Sequence, residues 1–134
     1  MERSRISQQG VQPGVKMKIL DVTPMLTVLS IDSAVEFYRD VLSFRCLTST
    51  PGWACVALDG TEVMFALPNA HLAFQKPAMT GSLYFNTDDV DAWWNKLKDQ
   101  CQVEYPIENF DYGMREFAIR DNSGYLLQFG QEIS

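Results

Sequence analysis

One order of secondary-structure signals occurs twice along this chain of 134 residues, and it restricts the possible folds more than any other feature. Each half begins with a short apolar run, continues with a helical pattern and ends with three strand patterns separated by turn residues. The two helical patterns open at Ser30 and at Asp88, residue types that suit the cap of a helix. The segment 68–80, with Asn69 and Pro77, separates the halves. The sequence therefore predicts two βαβββ units.

The bounds of the predicted elements follow from the turn residues between them. In the first half a helix runs from Ser30 to Leu42, and the predicted strands are 19–27, 44–49, 53–58 and 61–67. In the second half a helix begins at Asp88, a turn spans 121–124, and the predicted strands are 81–87, 102–110, 115–120 and 126–130. The predicted fold class is α+β, with two βαβββ units forming curled mixed sheets around a concave cleft.

The predicted domain organisation is simple. Residues 17–134 are expected to form a single domain, with halves at about 19–67 and 81–131. Residues 1–16 are polar, lack the apolar stretch of a secretory signal, and are expected to form a flexible N-terminal extension.

Composition disfavours several classes of function. A formal net charge of −6 offers no basic surface for phosphate contacts, so no nucleic-acid partner is expected. No apolar run approaches the roughly 20 residues that cross a bilayer, so no membrane partner is expected either. Three cysteines without CxxC spacing are interpreted as reduced thiols of a cytoplasmic protein.

Three segments make the chain similar to a known family. They are residues 37–44, with the sequence FYRDVLSF, the helix start at 88–91, and the closing hairpin at 112–129. In this order they resemble the vicinal oxygen chelate superfamily, which includes glyoxalase I, bleomycin-resistance proteins and extradiol dioxygenases. The resemblance covers residues 19–131 and implies the glyoxalase/bleomycin-resistance/dioxygenase fold. One departure is Ser43, where the family usually has glycine.

The resemblance also implies where a metal would bind. Metal-using members carry histidine and carboxylate at one position on the first and on the last strand of each half. Here those positions are Thr23, Met64, Ser82 and Gln128. Neutral hydroxyl, amide and thioether donors do not balance a divalent ion, so no metal and no cofactor are expected. His71, the one histidine, lies between the halves, and Glu62, on the same strand face as Met64, leaves a displaced site open.

Strand alternation places apolar walls and a few polar groups on the cleft face, which is typical of a small-molecule pocket. Arg115 and Phe117 are expected to join this face, where Arg115 either pairs with Glu62, meets an anionic ligand group or exposes its head to water. Trp53 and Tyr112 either stack on a ligand or close the core. The candidate ligand-binding residues are Trp53, Glu62, Met64, Ser82, Tyr84, Asn86, Tyr112, Arg115 and Gln128. No residue is assigned a catalytic role.

Three functions remain open from the sequence. The first is a metal-free protein similar to the bleomycin-resistance group, which sequesters a drug or metabolite and serves in antibiotic resistance. The second is a lyase, isomerase or oxygenase of the same superfamily with a displaced or absent metal. The third is an interaction module whose cleft has lost its ligand. The resemblance implies a homodimer in which two chains complete their clefts and bind a small-molecule ligand.

Overall fold

A computed structural model of the chain describes residues 17–70 and 74–134. The elements of the first half are β1 (Met25–Thr27), α1 (Ile31–Glu36), β2 (Arg45–Thr50), β3 (Trp53–Leu58) and β4 (Thr61–Ala66). The elements of the second half are β5 (Leu83–Asn86), α2 (Val90–Leu97), β6 (Gln102–Phe110), β7 (Met114–Arg120) and β8 (Leu126–Glu132). A π-helix, Phe37–Val41, continues α1. The predicted extension 1–16 and His71 lie outside the described residues.

Both halves have the same strand order. The first sheet is arranged β1-β4-β3-β2 and the second β5-β8-β7-β6. In each sheet the first strand is parallel to the fourth, and the other neighbours are antiparallel. The prediction of two βαβββ units in an α+β fold is confirmed.

The first strand is shorter than predicted. Only Met25–Thr27 pairs with β4, and residues 19–24 have no regular structure. Pro24 has no N–H to donate to a neighbouring strand, although its carbonyl accepts a hydrogen bond from Met64 N at 2.9 Å. Ile19 and Val22 are 84% and 85% exposed. The predicted strand is therefore wrong before Met25.

Both α-helices begin at a side-chain cap. Ser30 Oγ accepts a hydrogen bond from Ser33 N at 3.1 Å, as the sequence predicts. In the second half the cap is Asp89, whose Oδ1 accepts from Ala92 N at 3.1 Å, so the prediction of Asp88 is wrong by one position. A carboxylate at this place also interacts favourably with the positive end of the helix dipole.

One hydrophobic core joins the two halves. α1 lies on β3 and β4, and α2 lies on β7 and β8. Between the halves, the ring centroids of Phe44 and Phe85 are 6.2 Å apart, and the fully buried Tyr38 donates a hydrogen bond to Asp121 Oδ2 at 2.8 Å. The halves thus meet through the sides of the sheets that carry the helices. The opposite side of each sheet is called its open face below.

Two further predictions concern the cysteines and the membrane. Cys46, Cys55 and Cys101 are all free thiols, of which Cys55 is buried and the other two are half-buried. No helix in the described part of the chain has the length and apolar character needed to cross a bilayer.

Ser43 occupies a backbone conformation that favours glycine. Its φ is 72°, in the left-handed region, and its side chain is exposed. The chain turns sharply here, because Phe44 N donates a hydrogen bond back to the carbonyl of Tyr38 at 2.8 Å. The one departure from the family pattern in this helix end is therefore a strained residue.

Replacement of Ser43 by glycine is expected to raise the free energy of unfolding by about 1 kcal/mol, because glycine adopts the left-handed conformation without a Cβ clash. Urea denaturation of the two proteins measures the difference. Ser49→Gly, in the exposed part of β2, is the matched control and is expected to lower stability by about 0.5–1 kcal/mol. Equal changes at both positions would contradict the explanation.

Candidate functional site

The open face of the first sheet carries Trp53, Cys55, Glu62 and Met64. Cys55 lies opposite Met64 in the β3–β4 pairing, and its Sγ is 3.7 Å from Glu62 Oε1. Burial, reinforced by this carboxylate, raises the pKa of the Cys55 thiol. Strand alternation places Trp53 on the same side as Cys55. The structure thus brings three predicted ligand-binding residues together on one surface.

Glu116, in β7, lies on the open face of the second sheet and is only 1% exposed. Tyr84 donates a hydrogen bond to its Oε1 at 2.7 Å, and Tyr105 donates one to its Oε2. Gln128 Nε2 donates to the Tyr105 hydroxyl at 2.8 Å and to Glu116 Oε2 at 3.4 Å. Ser82 donates to Gln128 Oε1. A chain of hydrogen bonds therefore runs from Ser82 through Gln128 and Tyr105 to Glu116. These four residues and Tyr84 are called the Glu116 cluster below.

The surroundings of Glu116 favour its ionised form. Burial acts to raise its pKa, but hydrogen bonds from Tyr105, Tyr84, Tyr112 and Gln128 outweigh that effect and hold the pKa below its ordinary value of 4.5. Burial, the hydrogen bond to Glu116 and the charge of Glu116 raise the pKa of Tyr84, and burial raises the pKa of Tyr105 to about 12. At neutral pH the cluster therefore consists of neutral phenols around a carboxylate.

Gly130 makes room for this arrangement. It lies in β8 opposite Glu116, and a Cβ at this position would be 2.1 Å from Tyr84 Oη. Any side chain larger than hydrogen would push the Tyr84 ring away. The absence of a side chain at residue 130 is thus what lets Tyr84 reach the carboxylate across β8.

A cavity of about 450 Å³ lies beside this cluster, where residues of both halves meet. Glu62 enters its wall from β4, and Ser82, Tyr84 and Asn86 enter from the region of β5. Concave pockets in which polar groups converge beside apolar side chains are the usual form of a ligand site, and this cavity has polar groups from both halves. Four of the predicted residues therefore line one cavity. Tyr84 connects this cavity to Glu116, because it lines the cavity and donates a hydrogen bond to Glu116.

Arg115 and Phe117 do not lie on the open face, in contrast to their predicted placement. Arg115 Nη2 donates to Asp91 Oδ1 of α2 at 2.9 Å, and its Nη1 donates to Asn109 Oδ1 at 3.0 Å. Phe117 is fully buried and stacks on Phe129 with ring centroids 5.1 Å apart. Alternation along β7 puts Glu116 on the open face instead, so Arg115 meets Asp91 and not Glu62.

Tyr112 lies at the edge of the same cluster. Its side chain is 64% exposed and its ring is stacked on Phe110, with centroids 5.4 Å apart and an interplanar angle of 10°. Its hydroxyl adds to the hydrogen bonding that favours ionised Glu116. Tyr112 thus presents an open aromatic surface next to the buried carboxylate.

The four positions at which the family would place a metal do not fit one. The oxygen of the Gln128 amide accepts a hydrogen bond from Ser82, and its nitrogen donates one to the Tyr105 hydroxyl. Both ends of the amide are therefore bonded to neutral groups. Met64 offers a soft thioether, which hard divalent ions do not favour. Within 17–70 and 74–134, no group of three His, Cys, Asp or Glu side chains lies close enough to hold a metal ion.

Sequence reasoning missed Glu116 and Tyr105. The turn at 121–124 fixes the register that pairs Ala118 with Gln128 and Glu116 with Gly130, so the signal for Glu116 was present in the hairpin. Tyr105 lies in β6 between two shifts of register. Alternation does not predict the face of a residue next to such irregularities.

The fold and the site together define a small α+β protein with paired βαβββ units and an open-faced pocket. The family model described as Glyoxalase/Bleomycin resistance protein/Dioxygenase superfamily matches residues 19–129. The chain therefore belongs to this superfamily. No curated protein matches the sequence significantly.

Several solved structures resemble the chain. A protein of unknown function from Agrobacterium tumefaciens str. C58 has a TM-score of 0.74 at 21% identity, covering 88% of this chain and 98% of that one. Lactoylglutathione lyase from Agrobacterium tumefaciens has a TM-score of 0.65 at 19% identity, with 87% and 96% covered. The bleomycin-binding protein of Streptomyces verticillus, in complex with copper(II)-bleomycin, has a TM-score of 0.64 at 21% identity, with 89% and 99% covered. These similarities establish the fold.

Replacement of Glu116 by glutamine is expected to change how stability depends on pH. Because the folded-state pKa is lowered, the carboxylate contributes stability that is present above pH 4.5 and lost as the pH falls through the folded value. The difference in unfolding free energy between wild type and Glu116→Gln should therefore shrink in acid. Urea denaturation between about pH 3 and pH 7 measures it.

Asp121→Asn is the matched control for this pH series, because burial raises the pKa of Asp121. A carboxyl group with a raised folded-state pKa affects stability in the opposite direction. Its contribution to the free energy of unfolding is full in acid and is lost as the pH rises through the folded-state pKa. The difference between wild type and Asp121→Asn should therefore grow in acid. If the difference in unfolding free energy between wild type and Glu116→Gln also grew in acid, the assignment of an ionised Glu116 would be contradicted.

Proposed function

We propose that this protein binds a small molecule without a metal, in a manner similar to bleomycin-binding members of its superfamily, and sequesters a drug or metabolite in the cytoplasm. The observation that carries the proposal is the state of Gln128. This residue stands where metal-using members have their final glutamate, and both ends of its amide are bonded to neutral hydroxyls. A resistance role follows if the ligand is toxic to the cell.

Two exposed aromatic residues near Glu116 also support a binding role. Tyr84 is 38% exposed and Tyr112 64% exposed, and Tyr84 borders the 450 Å³ cavity. Exposed aromatic surface next to fixed polar groups suits recognition by stacking and shape. Such recognition needs no reactive side chain.

An enzyme of the same superfamily with a displaced metal is the second candidate. The observation that favours it is the proximity of Cys55 Sγ to Glu62 Oε1, 3.7 Å apart on the first open face. A carboxylate is a metal ligand, and a thiol becomes one when it loses its proton to a bound metal. Two such groups would need further donors to complete a site, which is why we rank this candidate second.

We further propose that the functional form is a homodimer. β1 and β5 are edge strands, and unpaired strand edges are common sites of association. Beside β1, the apolar side chains of Ile19, Leu20 and Val22 are 84%, 59% and 85% exposed. A second copy of the chain would cover this segment, and the pairing would enclose the open faces.

A thermal-shift screen with and without chelator tests the binding proposal. The panel contains divalent metals, glycopeptide drugs, aromatic diols and glutathione conjugates. A true ligand at a hundred times its Kd is expected to stabilise the fold by about 2.7 kcal/mol, and the chelator is expected to leave Tm unchanged. A chelator effect that is lost in Glu62→Gln would favour the displaced-metal enzyme. No stabilisation by any compound would favour an interaction module.

Sedimentation equilibrium tests the dimer. The expected mass is twice the 15.2 kDa of one chain. Ile19→Glu is expected to shift the equilibrium toward the monomer without unfolding it, because the side chain is 84% exposed in the single chain. Leu47→Glu, on the opposite edge strand of the first sheet, is the control and should remain dimeric. A monomeric wild-type protein would exclude the proposal.

A further inference from the structure

Within residues 17–70 and 74–134, no cationic side chain forms an ion pair with Glu116. Its side chain is nevertheless almost fully covered. The neighbouring Arg115 is bonded to Asp91 on the other side of the sheet, and Arg120 is bonded to Glu104. Hydrogen bonds from Tyr84 and Tyr105 compensate part of the cost of covering this charge, but they supply no opposite charge. A ligand cation at this place would supply it.

The hydrogen bonding of Glu116 limits what that cation can be. An ionised carboxylate has about four acceptor positions. Tyr84 donates to Oε1, and Tyr105 and Gln128 donate to Oε2, so three of these positions are occupied. A primary ammonium or a guanidinium group must donate hydrogen bonds of its own and finds most of these positions taken. A fully alkylated ammonium has no such requirement.

The donors to Glu116 also surround it with aromatic rings. Tyr105 meets Phe110 edge to face at 5.8 Å, and Phe110 stacks on Tyr112 at 5.4 Å. Tyr84 approaches from the other side, over Gly130. Cations within about 6 Å of a ring centroid are attracted to its face, and quaternary ammonium groups are the kind that aromatic clusters recognise. The chain's net charge of −6 adds a long-range attraction for cations.

We infer that the ligand of this protein carries a quaternary ammonium group, which binds against the rings of Tyr84, Tyr105 and Tyr112 beside Glu116. The inference rests on the proposed binding function and names the chemical class of its ligand. In this arrangement Glu116 supplies the charge and the tyrosines supply the contact surface. Gln128 holds Tyr105 in position, and Gly130 lets Tyr84 reach the carboxylate.

Three probes that separate charge from alkylation test the inference with the full-length protein. Choline has the quaternary group, 3,3-dimethylbutanol is its neutral counterpart, and ethanolamine is the unalkylated cation. NMR titration of the tyrosine ring signals gives the three dissociation constants. Choline is expected to bind at least about tenfold more tightly than either of the others, because only choline combines charge with alkyl contact.

Two variants assign the preference to this site. Glu116→Gln keeps the shape and removes the charge, so choline and 3,3-dimethylbutanol should bind it about equally. Gly130→Ala displaces the Tyr84 ring and should weaken choline binding while leaving the charge of Glu116 in place. Gly52→Ala is the control, since a Cβ at Gly52 meets no atom within 4 Å, and it should bind choline as the wild type does.

The outcomes separate this inference from the binding function. If the neutral alcohol or ethanolamine binds as tightly as choline, or if Glu116→Gln retains the preference, the inference is wrong. It is also wrong if none of the three probes binds while a compound of the thermal-shift panel without a quaternary group does. In each of these cases the binding function itself can still hold. If no compound of either set binds, both are wrong.

Discussion

The buried hydrogen bond between Tyr38 and Asp121 fixes how the two halves of this protein are joined. Asp121 also accepts hydrogen bonds from Ser123 N and Tyr125 N, both at 2.9 Å, so the same carboxylate shapes the turn between β7 and β8. Tyr125 in turn donates to the carbonyl of Thr27 at 2.6 Å. The closing hairpin is therefore attached to the first half at two points. Glu116 and Gln128 lie on this hairpin, and their position depends on that attachment.

The two sides of the closing hairpin serve different purposes. On the helix side, Phe117 and Phe129 stack on each other and continue the core toward Trp93 and Trp94. On the open side of the same strands, the buried carboxylate of Glu116 is held by hydroxyl and amide groups. Adjacent residues of one strand can differ this much because successive side chains point to opposite faces. Changes of chemistry on the open side therefore leave the core contacts intact.

The sequence was sufficient to predict the fold and the face on which several candidate residues lie. Turn residues such as Asp59 and Gly60, which both have positive φ, mark the strand ends clearly, and the Ser30 cap marks the first helix. The predicted grouping of Ser82, Tyr84 and Gln128 on one face agrees with the structure.

Other features depend on tertiary contacts that local patterns do not record. β1 pairs with β4 only from Met25 onward, although β4 begins three residues earlier in the same register, and Tyr105 reaches Glu116 only because β6 is irregular. Arg115 and Phe117 were both assigned to the cleft face, whereas both lie on the side of β7 that carries α2. The partner of Arg115, Asp91, comes from a helix whose position the strand pattern does not give.

The contact between Gln128 and Glu116 explains why a neutral amide suits residue 128. A glutamate at this position would put two carboxylates about 3.4 Å apart, and two such groups do not both ionise unless a cation joins them. In a metal-free protein the pair would have to share a proton. The amide of Gln128 instead donates a hydrogen bond to Glu116, so the buried acid keeps a full negative charge without a second acid beside it.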